Sequence, residues 1–160
     1  GIWHLAGMGD VFRTLGPTIE KYAEPNAVTS LRHWVDLSPP PKDPNAVLDA
    51  YARRDLCLFR WQEFFQRYVA VVMPTACDLP PPVDQDLTRD GQQKILDSLR
   101  VSFLAPALGL PGLAVPVGSH GALRTGVQIV TGRMREDLAL DAGEVIEAAE
   151  GIVQPIDPAW

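Results

Sequence analysis

Gly112-Leu113-Ala114-Val115-Pro116-Val117 and Thr125-Gly126-Val127-Gln128-Ile129-Val130, separated by the turn residues Gly118-Ser119-His120-Gly121, decide how the chain is read. Both runs are short, apolar and bounded by glycine, which is a strand pattern, and the turn joins them directly. Neither alternates cleanly between apolar and polar residues, as a half-exposed strand would. Each therefore predicts a strand buried on two faces, with helices covering the sheet on either side. Upstream, Val69 to Met73 is a β-branched run stopped by Pro74 and reads as a third buried strand. Three or four strands leave long unpaired edges, so part of the sheet is expected to lie elsewhere.

The segments around these strands carry helical signals. Asp43-Pro44 is a helix start, with Asp as the cap and Pro where a missing N–H costs nothing. From there to Tyr68 no glycine or proline intervenes, and Val47, Leu48, Tyr51, Leu58, Phe59, Phe65 and Tyr68 recur at helical steps, predicting one long helix with a buried face. Thr75 to Asp90, with Pro80-Pro81-Pro82, reads as a surface loop. Gly91 to about Leu104 reads as a helix ended by Pro106. Glu136-Asp137 opens a last helix to about Glu150, with Leu138, Ala142, Val145, Ile146 and Ala149 inward and Gly151 as its stop. At the other end, Leu5, Met8, Phe12 and Leu15 give a helix broken by Gly16-Pro17. Short helices follow over Pro17 to Tyr22 and Ala27 to Val35, before a linker at Pro39-Pro40-Pro41. The fold class is α/β, with residues 1–42 a variable helical segment and residues 43–160 the α/β part.

With 160 residues, 46% hydrophobic and 21% charged, the chain has the makings of a packed globule rather than a disordered tail. A formal charge of −6 disfavours nucleic acid and anionic membranes as partners. No run reaches the ~18 apolar residues of a membrane span. Gly1-Ile2-Trp3-His4 has neither an initiating Met nor the features of a signal peptide, so the chain is expected to be a fragment or a processed product. Cys57 and Cys77 match no disulfide framework or metal spacing and read as reduced, packed cytosolic thiols, giving a cytoplasmic expectation.

Little in the residues spells chemistry. His4, His33 and His120 share no metal-binding spacing. Ser119-His120 has the composition of a nucleophile and base, but neighbours in a turn point apart and no third residue orients the imidazole. Cys77 stands beside the carboxylate of Asp78 rather than the cationic neighbours that activate a nucleophilic thiol. Asp84, Asp86 and Asp90 lack the glycine and glutamate of a calcium loop. Arg133-Met134-Arg135-Glu136-Asp137 opens a helix and reads as arginines pairing with acidic neighbours rather than as an anion site. No metal or cofactor is expected.

From about Ala50 onward the chain resembles the C-terminal third of the amidase signature hydrolases, the Ser-cisSer-Lys amidases. The resemblance is carried by Arg54 to Thr75, with Trp61-Gln62-Glu63-Phe64-Phe65 and Val71-Val72-Met73-Pro74-Thr75, and by Leu108-Gly109-Leu110-Pro111-Gly112 through Pro116-Val117-Gly118. It continues through Gly126-Val127-Gln128-Ile129-Val130 and Arg133 to Leu138, Ile146-Glu147-Ala148 and Pro155-Ile156-Asp157-Pro158. It implies the C-terminal part of a mixed central sheet covered by helices on both faces. It also implies an amidase cleaving a small-molecule carboxamide through an acyl-serine, with Lys, bridging Ser and nucleophilic Ser upstream of this chain. Neither Lys42 nor Lys94 stands in the family's lysine context. The implied partners are the N-terminal catalytic part of the same enzyme and the amide substrate, with a homodimer left open.

Pro106 stands where many members have Asn, Val69 where many have Asp, and no Asp lies near Val101. Those departures point away from the glutaminase subunits of tRNA amidotransferases and toward a stand-alone amidase with an aryl, aliphatic or carbamoyl substrate. The resemblance makes Thr75, Ala76, Phe103, Pro106 and Ala107 candidates for the acyl pocket, with ordinary packing as the competing reading. A non-catalytic scaffold or binding subunit keeping half of the fold is the alternative for the whole chain, and an independent hydrolase using Ser119 and His120 or Cys77 is a third.

Overall fold

The structure, a computed structural model, describes residues 9–39, 43–121 and 123–151. His4, the helix start over Ile2 to Met8, Pro40 and Pro41 of the expected linker, and the Pro155 to Pro158 segment lie outside them. Three strands form one sheet: β1 (Ala70–Pro74), β2 (Gly112–His120) and β3 (Leu123–Thr131), in the order β1-β3-β2. Both pairings are antiparallel, so the mixed sheet expected from the resemblance is not what these residues form. In the sheet's register Val130 stands opposite both Val71 and Gly112, and Ile129 opposite Val72 and Leu113.

The described residues also form six helices: α1 (Gly9–Tyr22), α2 (Pro25–Leu37), α3 (Pro44–Phe65), α4 (Arg89–Ser98), α5 (Leu104–Leu108) and α6 (Glu136–Glu150). Because side chains alternate across a strand, Val130 faces one layer and Ile129 the other. On the first face Val130 joins Leu58, Ala105, Leu108 and Leu110, with Trp61, Phe65, Met73 and Leu104 packed around them. On the second lies α6, so close at Gly143 that an added Cβ would run into the Leu113 side chain. Helices on both faces are thus found at β3, whose Ile129, Val130 and Thr131 are fully buried.

Local signals explain several boundaries. Asp43 caps α3, its carboxylate accepting from the Asn45 N–H at 2.9 Å. Thr88 caps α4 by accepting from the Gly91 N–H at 3.1 Å. α6 spans the residues expected of it and ends at Gly151. Its buried residues are Ala139 and Gly143, however, and Val145 and Ala149 face solvent. β2 and β3 run on through the expected turn to a two-residue connection at Gly121, with φ of 60°. Between Pro116 and Ser119 β2 carries one residue more than β3 does between Gly126 and Arg124, with Gly118 at φ of 56°, a glycine bulge.

Other expectations are corrected. α1 does not break at Gly16-Pro17 but continues to Tyr22: packing on α2 and the Glu20–Arg32 ion pair at 2.8 Å hold its second half in line despite the hydrogen bond Pro17 removes. The single helix expected over Gly91 to Leu104 is α4, a 3₁₀ turn at Leu99–Val101 and α5. Pro106 lies within the first turn of α5, where it needs no N–H partner, and the left-handed Gly109 ends that helix. Among the described residues β3 is the sole neighbour of β1, an edge strand in which Val72 is exposed, as is Val69 just before it. On α3 the expected inward face is only partly covered: Leu58 is buried, whereas Leu48, Tyr51 and Phe59 are exposed. Cys57 and Cys77 are free and exposed rather than packed.

Gly91 is the tightest point of the α4 entrance, because a Cβ there would collide with the Gln85 carbonyl of a preceding 3₁₀ turn at Gln85–Leu87. Gly91→Ala is expected to lower stability by about 1–3 kcal/mol, read as a shift of the urea midpoint with unchanged slope.

Candidate functional site

Where β1 ends, Thr75 binds back to the central strand: its N–H donates to the Gly126 carbonyl at 3.3 Å and its hydroxyl to the same oxygen at 3.1 Å. The chain then crosses to α4, with the Cys77 N–H donating to the Ser98 carbonyl at 2.8 Å. These ties hold open a cleft of about 1140 Å³ between the Thr75 to Pro82 segment, α4 and the start of β3. Its floor includes Thr75, Ala76, Ser98 and Gly126, while Lys94, Arg100 and Arg124 bring positive charge to its walls and Asp78 and Asp97 negative charge. On the side of β2, Gly126 admits a close approach of the strands, as an added Cβ would stand 3.1 Å from the Val115 carbonyl.

A second set of bonds fixes the floor from below. Ser102 donates through its hydroxyl to the Thr75 carbonyl. Gln128, buried within the apolar run of β3, donates from Nε2 to the Val101 carbonyl at 3.0 Å and to the Pro74 carbonyl at 3.4 Å. One side chain therefore ties the 3₁₀ turn to the end of β1. Sequence reading missed this role; the signal was a lone polar residue on a strand face otherwise formed by Val130 and Met73.

Of the sequence-derived candidates, Thr75 and Ala76 line the cleft. Phe103, Pro106 and Ala107 are placed away from its lining: Phe103 packs against Trp34 with ring centroids 6.4 Å apart, Pro106 is exposed, and the Ala107 carbonyl accepts from Arg54 Nε at 2.6 Å. Arg54, another residue whose role was not foreseen, thus fastens α3 to α5. His33 holds Leu87 through Nε2 and the carbonyl at 3.2 Å. Ser119 and His120 stand as neighbours in β2, where successive side chains point to opposite faces. Among the described residues, no group of three or more His, Cys, Asp or Glu is placed to hold a metal ion, and no helix is long and apolar enough to cross a membrane.

Arg135, at the entrance to α6, forms a forked pair with Asp137, Nε and Nη2 reaching its carboxylate at 2.9 and 2.8 Å. The hydrogen bond from Arg135 holds the Asp137 carboxyl below its ordinary range and raises the guanidinium. The arginine here pairs with its acidic neighbour, as the spacing implied.

This fold belongs to a class. A crystal structure of an amidase superposes on 94% of this chain and 35% of its own with a TM-score of 0.69 at 16% identity, which shows the amidase fold. Two curated relatives share the sequence more closely: the indoleacetamide hydrolases of Bradyrhizobium diazoefficiens (strain JCM 10833 / BCRC 13528 / IAM 13628 / NBRC 14792 / USDA 110) and Bradyrhizobium japonicum, each 39% identical over 113 residues. No family model matches. The alignment takes in 69% of this chain but 22% and 24% of those relatives, so the chain spans about a quarter of their length. The chain is related to the amidases, of whose length it matches a portion.

Two outcomes are expected. Gln128→Leu leaves two carbonyls without their donor and should cost about 1–3 kcal/mol, against about 1 kcal/mol for Ser102→Ala, both read by urea denaturation. Asp137 should titrate by NMR below the usual carboxylate range and return to it in Arg135→Gln. Its depressed folded pKa makes its contribution to stability present above the unfolded value and lost as pH falls through the folded one.

Proposed function

We propose that this chain forms the C-terminal portion of an amidase that hydrolyses a small-molecule carboxamide to the acid and ammonia or an amine. The observation that carries the reading is the 39% identity over 113 residues to enzymes named indoleacetamide hydrolases. An arylacetamide is accordingly the substrate class. The serine and lysine machinery is assigned to residues outside this chain. There a lysine takes the proton of a bridging serine, which takes that of the nucleophilic serine as it attacks the amide carbon. The C–N bond breaks with the relayed proton leaving on the amine, and water then cleaves the acyl ester.

This chain's part is to supply the sheet and a wall of the acyl pocket. Thr75 and Ala76, which line the cleft, are the residues assigned to that role. Phe103 and Ala107 are committed to Trp34 and Arg54 instead, so the proposal narrows to the first pair.

The test is the intact mass of every polypeptide in a native preparation before and after a fluorophosphonate, with ammonia release from indole-3-acetamide followed in parallel. A longer or separate chain should take the label, and the 160-residue chain should take none and release no ammonia alone. Label on the 160-residue chain itself would overturn the assignment and turn attention to Ser119. No label and no turnover anywhere would put the non-catalytic scaffold in its place.

A further inference from the structure

α3 has two apolar stripes, and the core uses one of them. Leu58, Trp61 and Phe65 face the buried cluster, and Arg54 binds Ala107 from the same side. About 135° round the helix, taking ~100° per residue, Leu48, Ala52, Leu56 and Phe59 form a second stripe. There Leu48 is 67%, Leu56 52% and Phe59 56% exposed. A helix apolar on two sides belongs between two layers, yet nothing among the described residues covers the second.

The charges beside that stripe say what does. Asp49 and Arg60 lie on one flank, past Leu56, both exposed and without an ion-pair partner among the described residues. We propose that α3 pairs antiparallel with α3 of a second copy of this chain. A two-fold axis between Arg54 and Asp55 sets like flank against like flank. It brings Asp49 against the partner's Arg60, and Arg60 against the partner's Asp49. The same register seats Phe59 between Leu48 and Ala52 of the other helix, a knob between residues four apart. The opposite charges fall at mirror positions, so that flank is complementary to itself. This pairing stands whether or not the chain serves an amidase.

A single helix pair of ~33 Å is at the small end of stable interfaces, so micromolar association is expected. Sedimentation velocity of the 160-residue chain over a wide concentration range should show a monomer–dimer equilibrium that Phe59→Glu abolishes. Asp49→Arg or Arg60→Asp alone should weaken it at least about tenfold, and the double variant Asp49→Arg with Arg60→Asp should recover it. All of these positions are exposed, and unchanged far-ultraviolet circular dichroism certifies each variant as folded. A monomer at every concentration, a dimer indifferent to Phe59→Glu, or a double variant no better than the singles would overturn the pairing. So would a chain that stays monomeric alone and uses Phe59 to bind a separate serine-bearing amidase segment.

Discussion

The molecule depends on the burial of β3 from both sides. Ile129, Val130 and Thr131 lose all contact with solvent, and each side of that strand organises a different layer. Val130 gathers α3 and α5 through Leu58, Ala105 and Leu108, while the Ile129 side meets α6 through Leu113 and Val115. Apolar burial scales with area, and a strand enclosed in this way contributes twice over. The cleft inherits its rigidity from the same strand, since Gly126 and Gln128 are the β3 residues that hold Thr75, Pro74 and Val101.

What could be read from the residues is what local chemistry determines. Asp43-Pro44, Glu136-Asp137, Gly151 and the glycine-bounded strands each act within a few residues, and their elements stand where expected. What could not be read depends on contacts distant in sequence. α1 runs through Pro17 beside α2, and α4 gives way to a 3₁₀ turn that Gln128 and Ser102 tie to the end of β1. The exposure of β1 follows from strand order, which a run of valines does not reveal.

The site divides in the same manner. Thr75 and Ala76 were singled out by their place after a strand end that resembles the amidase pattern, and the structure places both on the cleft's lining. Phe103 and Ala107 share that neighbourhood in sequence, but the break between the 3₁₀ turn and α5 swings them toward Trp34 and Arg54. Gln128 was visible only as an anomaly of pattern, a polar residue on an apolar face. Arg54 carried no signal, because an arginine on a helix is ordinary until its partner is known.

The bulge at Gly118 reaches beyond the hairpin it bends. A strand slipped by one residue turns its whole inward set outward, and the hairpin holding Ile129 would seem exposed to that error. With the extra residue placed at Gly118 and α6 seated on Leu113 and Val115, the register of the core half is set independently of the tip. Residues gained or lost between His120 and Leu123 then alter how far the hairpin projects and leave the inward order of β3 intact. The hairpin tip is thus a place where chain length can change without disturbing the core.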